Sequence, residues 1–122
     1  MSVEGIVRNR IALGDLTGLH LLGTRHSAKV IRRQLVAALE LEESVELDFD
    51  RVTVTQSFAD ELLGPLILER GHELLTRMRF KGCSDDVRAV LTFVVGQRLL
   101  DYEDSLSASG ALRNADSELT SF

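Results

Sequence analysis

The run Val45-Glu46-Leu47-Asp48-Phe49-Asp50 constrains this chain more than any other stretch. Apolar and acidic side chains alternate at every position, which is the period of a strand with one face in a core and the other in water. A β-branched piece, Val52-Thr53-Val54-Thr55, comes directly after it. Beyond that, in Gln56-Ser57-Phe58-Ala59-Asp60-Glu61-Leu62-Leu63, the apolar positions step by three and four. Ser57 with Asp60 three residues on has the spacing of a capping box, so a helix is predicted to open with Ser57 as its N-cap. A strand that runs through a hydroxyl-bearing turn into a helix start is a common place for a site in an α/β protein. Free backbone amides and the positive end of the helix dipole both face such a turn.

The other elements follow from the same kind of pattern. Ile6 to Leu13 has β-capable pieces, and Gly14 to Gly23 reads as a loop. From Thr24 to Leu41 the apolar residues Ala28, Ile31, Leu35 and Leu39 recur at helical steps, predicting an amphipathic helix. In the helix after Thr55, Phe58, Leu62 and Leu66 and also Ala59, Leu63 and Ile67 are predicted to lie inward. Pro65 predicts a kink there and Gly71 a stop. Arg77-Met78-Arg79-Phe80-Lys81 alternates again and reads as a strand. Ser84, Asp85 and Asp86 then form a cap and acidic first turn for a last helix, with Val87, Val90, Leu91, Val94, Val95 and Leu99 as its buried stripe. Were the two alternating strands neighbours, Glu46, Asp48 and Asp50 would face Arg77, Arg79 and Lys81 across one wet surface. A wet sheet face favours helices on the other side only.

Composition narrows the function classes. With 122 residues the chain is expected to be one domain, and 44% hydrophobic with 27% charged residues is ordinary for a globular protein rather than a disordered or membrane chain. A net charge of -5, with no Trp and one Tyr, argues against nucleic-acid binding. Cys83 is the single cysteine, so no internal disulfide forms, and a cytoplasmic location is expected. His20, His26 and His72 lack metal-pair spacing, no Gly-rich phosphate cradle carries a lysine, and no nucleophile-elbow glycines flank Ser57. No metal, no cofactor, no membrane attachment and no enzymatic chemistry are therefore expected. From Asp101 onward the composition turns to Ser, Asp, Glu, Ala and Gly, which divides the chain into a domain over 1–100 and a polar tail over 101–122.

The turn Leu22-Gly23-Thr24-Arg25 before the first long helix, the strand pair Asp48-Phe49 and the helix opening Ser57-Phe58-Ala59-Asp60-Glu61 occur in the order strand, helix, strand, turn, helix, strand, helix. This arrangement resembles the bacterial STAS-like domain family of unassigned function, related in fold to sulphate-transporter and anti-sigma-factor-antagonist domains. The resemblance covers roughly Ile6 to Leu100. It implies an α/β two-layer sandwich, with a mixed sheet of four to five strands and helices on one side. It also implies a non-enzymatic regulatory module that binds another protein, such as a histidine-kinase-like ATPase. The switch it implies is phosphorylation at Ser57, with Thr55 as second candidate.

Arg25 and His26 stand at a helix start, where the dipole disfavours positive charge, and Asp60 and Glu61 are their expected partners. The expected partner-binding surface comprises Thr24, Arg25, Gln56, Ser57, Phe58, Asp60 and Glu61. Two alternatives stay open. One is a small-ligand or hydrolytic protein using an Arg25/Asp60/Glu61 cluster; the other is a self-associating unit, a homodimer through its tail. Cys83 follows the strand just before a capped helix and reads by default as a small buried residue; its thiol pKa would fall only if it pointed at the helix amides.

Overall fold

A computed structural model describes residues 9–107. Along the chain run β1 (Arg10–Ala12), α1 (Leu13–Thr17), β2 (Leu21–Leu22), α2 (Arg25–Leu41), β3 (Val45–Asp48), β4 (Thr53–Val54), α3 (Gln56–Arg70), α4 (His72–Thr76), β5 (Met78–Lys81) and α5 (Asp85–Leu106). β3 lies between β1 and β5, parallel to both, and its alternation works as expected on one face: Val45, Leu47 and Phe49 are buried. On the other face Glu46 is in register with Arg10 and Arg79, and Asp48 with Lys81. Arg10 bridges Glu46 at 3.4 Å and also pairs with Asp48, while Lys81 reaches Glu46 at 4.0 Å. Asp48 is buried, against the alternating pattern. Arg10 and the Asp50 backbone N–H, 2.9 Å from its Oδ1, supply the hydrogen bonds that a buried carboxylate needs. Arg77 does not join this face. Its guanidinium donates to the carbonyls of Leu39 and Glu42, at the C-terminal end of α2, and of Glu43 just beyond it.

In place of one mixed sheet of four to five strands, the described residues form a three-stranded sheet, β1-β3-β5, and a two-stranded sheet, β2-β4, with every pairing parallel. The cause is a shared interruption. After Phe49 the chain turns through Arg51, at φ 63°, and the Val52 N–H bonds back to Phe49 O at 3.2 Å. On the neighbouring segment α1 interrupts the chain between β1 and β2, within the stretch expected to be a loop. Both segments resume pairing beyond the break, Leu21 with Thr53 and Leu22 with Val54.

The helices cover the apolar face, with α3 packed against both α2 and α5. All six residues expected inward on α3 are buried, and each of the Phe, Leu and Ile side chains among them contributes about 1.5–3 kcal/mol of burial. The helix continues through Pro65, which is exposed, and stops at Gly71. Gly71 has φ 64°, and the Tyr102 ring of α5 occupies the space a Cβ would need. α5 thus passes Leu100 and remains helical to Leu106. Residues 1–8, which include the start of the first β-capable piece (6–8), and residues 108–122 of the expected tail lie outside the described residues.

Ser84 caps α5 as expected, accepting from the Val87 N–H at 3.2 Å. Ser57 is not the cap of α3. Thr55 is, its Oγ1 accepting from the Phe58 N–H at 3.1 Å. The β4 ladder ends at Val54, so Thr55 is the last residue with extended backbone, and Ser57 is already inside the first turn. Thr55→Ala is therefore expected to destabilise the fold by about 1 kcal/mol in urea unfolding. Ser57→Ala should stay within about 0.5 kcal/mol of wild type, and equal losses would contradict the assignment.

Candidate functional site: two helix starts at one end of the sheet

The register of β2 with β4 carries both chains to the same height. The Thr55 N–H donates to Leu22 O at 3.0 Å, and Thr55 Oγ1 donates to Gly23 O at 3.4 Å. Gly23 leaves room for the Thr55 methyl, which lies 3.3 Å from where a Cβ would stand. Thr24 caps α2 by accepting from the Ser27 N–H at 3.1 Å. Two capped helices therefore begin side by side, each pointing its unsatisfied amides and positive dipole end the same way. Thr24, Arg25, His26, Gln56 and Ser57 are exposed on this tip. Phe58, predicted to lie inward and also named in the partner-binding set, is 0% exposed, so it anchors the tip from beneath and offers a partner no contact surface.

Asp60 and Glu61 have partners other than Arg25 and His26. Arg98 of α5 grips Asp60 with a forked pair, Nε to Oδ1 at 2.6 Å and Nη2 to Oδ2 at 2.9 Å, and also donates to Asp101 at 2.7 Å. The hydrogen bond to Asp60 is the main reason the Arg98 pKa is raised above its ordinary value. On the opposite flank, Arg32 Nη1 lies 3.1 Å from Glu61 Oε2 and also donates to the Glu61 carbonyl. Arg32 reaches Glu61 because it sits about two turns further along α2, at the margin of the buried stripe that faces α3. Arg25 makes no hydrogen bond or ion pair among the described residues. The expected Arg25/Asp60/Glu61 cluster is thus not assembled. Sequence reasoning missed Arg32 and Arg98. The available signal was position: each basic residue stands one helical turn from a core residue, Ala28 or Val94, and so borders a buried stripe. Among the described residues no group of three or more His, Cys, Asp or Glu side chains could hold a metal ion.

A family model for the STAS-like domain of unknown function (DUF4325) matches residues 27–88, about half of the chain, from the first turn of α2 to that of α5. The chain belongs to the STAS-like domain family. No curated protein and no solved structure matches it. No helix of the described part of this STAS-like domain is long and apolar enough to cross a membrane.

Cys83 of the STAS-like domain is half-buried at an open groove of about 760 Å³ lined by Leu75, Met78, Phe80, Leu91 and Val95. The conditional lowering of its pKa does not occur, and the default of a small, partly buried residue fits what is found. Burial raises the thiol above its ordinary value and outweighs the opposing effect of Arg88, and the Val87 amide is already taken by Ser84. Iodoacetamide alkylation of Cys83 should therefore rise with pH only above the range of a free cysteine peptide; a plateau reached below that range would contradict the burial. The Asp60–Arg98 pair is partly exposed, so its coupling should be modest. A double-mutant cycle with Asp60→Asn and Arg98→Met should give about 0.5–1 kcal/mol at low salt, falling towards zero near 1 M salt.

Proposed function

We propose that this STAS-like domain is a non-enzymatic regulatory module of the anti-sigma-factor-antagonist kind, acting in the cytoplasm and binding another protein through the tip formed by α2 and α3. One observation carries the reading: the β2–β4 pairing holds two capped helix starts together, and the side chains presented there, Thr24, Arg25, Gln56 and Ser57, are exposed. Paired helix starts offer a fixed array of backbone donors that suits recognition of a protein surface without chemistry of its own.

Ser57 is the better of the two candidate control points. Its side chain is exposed in the first turn of α3, whereas the Thr55 hydroxyl is already engaged in capping and with Gly23. Phosphate at Ser57 would meet the positive end of α3. Asp60 and Glu61 would repel that phosphate as like charges, but Arg98 and Arg32 pair with them and reduce the effect. A partner of the histidine-kinase-like ATPase type fits this reading through the resemblance.

A photo-crosslinking amino acid at Gln56, in cells that make the protein, tests the proposal. A discrete adduct is expected from Gln56 and not from Arg79 on the sheet face, and Ser57→Asp should reduce it roughly tenfold, the scale of one charge-assisted contact. The same adducts from both positions, or no adduct from Gln56, would refute the tip as a docking surface.

A further inference from the structure

We infer that the outer face of α2 is a docking strip for an acidic polypeptide segment. From Arg25 to Leu39 this helix contains Arg25, His26, Lys29, Arg32 and Arg33 and no acidic residue. Arg32 is turned towards α3 and occupied by Glu61. Arg25, Lys29 and Arg33 stand four residues apart, all exposed, and none makes a hydrogen bond or ion pair among the described residues. Arg10, Arg77 and Arg98, by contrast, are each held by carboxylates or carbonyls of the fold.

This placement breaks two local rules at once. Cations at a helix N-terminus oppose the dipole, and like charges four residues apart repel each other. α5 shows the ordinary arrangement, opening Ser84-Asp85-Asp86. The first turn of α2 has no acidic residue, and no group of the described fold compensates. In a chain of net charge -5, unpaired cations concentrated on one helix face point outward to a partner of opposite sign.

Spacing selects the partner's form. Successive cations on the strip rise about 6 Å along the axis, which matches carboxylates one helical turn apart or on alternate residues of an extended segment. Glu40, Glu42 and Glu43 bound the strip at the other end of α2. A nucleic acid fits less well, because so few cations release few counterions and the surrounding charge is negative. The inference rests on the docking reading of the tip, since Arg25 belongs to both, and it gives that partner an acidic edge.

Amide chemical-shift mapping of the full chain with an oligoglutamate peptide tests it, with a DNA duplex of similar charge as the competing probe. Shifts are expected over residues 25–33. Affinity should fall at least about tenfold in the triple variant Arg25→Glu, Lys29→Glu, Arg33→Glu, and again between about 0.05 and about 0.5 M salt. That variant should melt close to wild type, because all three positions are exposed and unpaired among the described residues, and the reversed charge at position 25 suits the helix dipole while the repulsion along the strip persists with opposite sign. The Arg25→Lys, Arg33→Lys variant should preserve binding. Shifts centred on Arg79 and Lys81, unchanged affinity in the triple variant, or duplex binding as tight as peptide binding would each overturn the strip. If those results came with an intact Gln56 crosslink, the docking tip would stand and only its acidic partner would fall.

Discussion

A parallel pairing of two residues with two, Leu21–Leu22 against Thr53–Val54, fixes the end of the molecule where α2 and α3 begin. Its hydrogen bonds alone are too few to hold two helices, and the packing below completes the work: Leu22 and Val54 are buried, and Phe58 fills the space under the tip. Because the Thr55 backbone and hydroxyl bond to Leu22 and Gly23, the position of one cap determines the position of the other. The whole tip therefore behaves as a single rigid feature rather than two independent loops.

Behind the tip, charge is sorted by depth. The carboxylates of α3 are consumed sideways, Asp60 by α5 and Glu61 by α2, so the central helix is gripped on both flanks within its first two turns. Exposed and half-exposed pairs of this kind contribute little stability each, but they fix the azimuth of α3 and thereby what it shows to solvent. Beside these pairs, three exposed cations of α2 have no hydrogen bond or ion pair among the described residues. The acidic character expected of the site from Asp60 and Glu61 is thus cancelled, and the sign of the surface is set by Arg25, Lys29 and Arg33.

Much of this was legible in the sequence because the underlying signals are periodic. The inward positions of α2, α3 and α5 and the Ser84 cap follow from helical spacing, and the buried face of β3 from alternation. The short elements were not legible: α1 has five residues and β2 two, too few for any period to show. The α3 cap was misplaced by two residues because Thr55 and Ser57 both carry a hydroxyl, and only the end of the β4 ladder decides between them. The ion-pair partners were misassigned for a different reason. Asp60 and Arg98 are 38 residues apart, and nothing local in either helix announces the other.

The Tyr102 ring seated on Gly71 has a geometric consequence. It pins the last turns of α5 to the far end of α3, while Phe93 and Gln97 of the same helix lie beside Gln56 at the tip. The two helices therefore run in the same sense, and Leu106 faces the pole opposite the helix starts, about 22 Å away along an α3 of 15 residues. A fluorophore or fusion partner joined downstream of Leu106 begins its path on that remote pole, so its bulk starts clear of any molecule seated over Arg25 and Ser57.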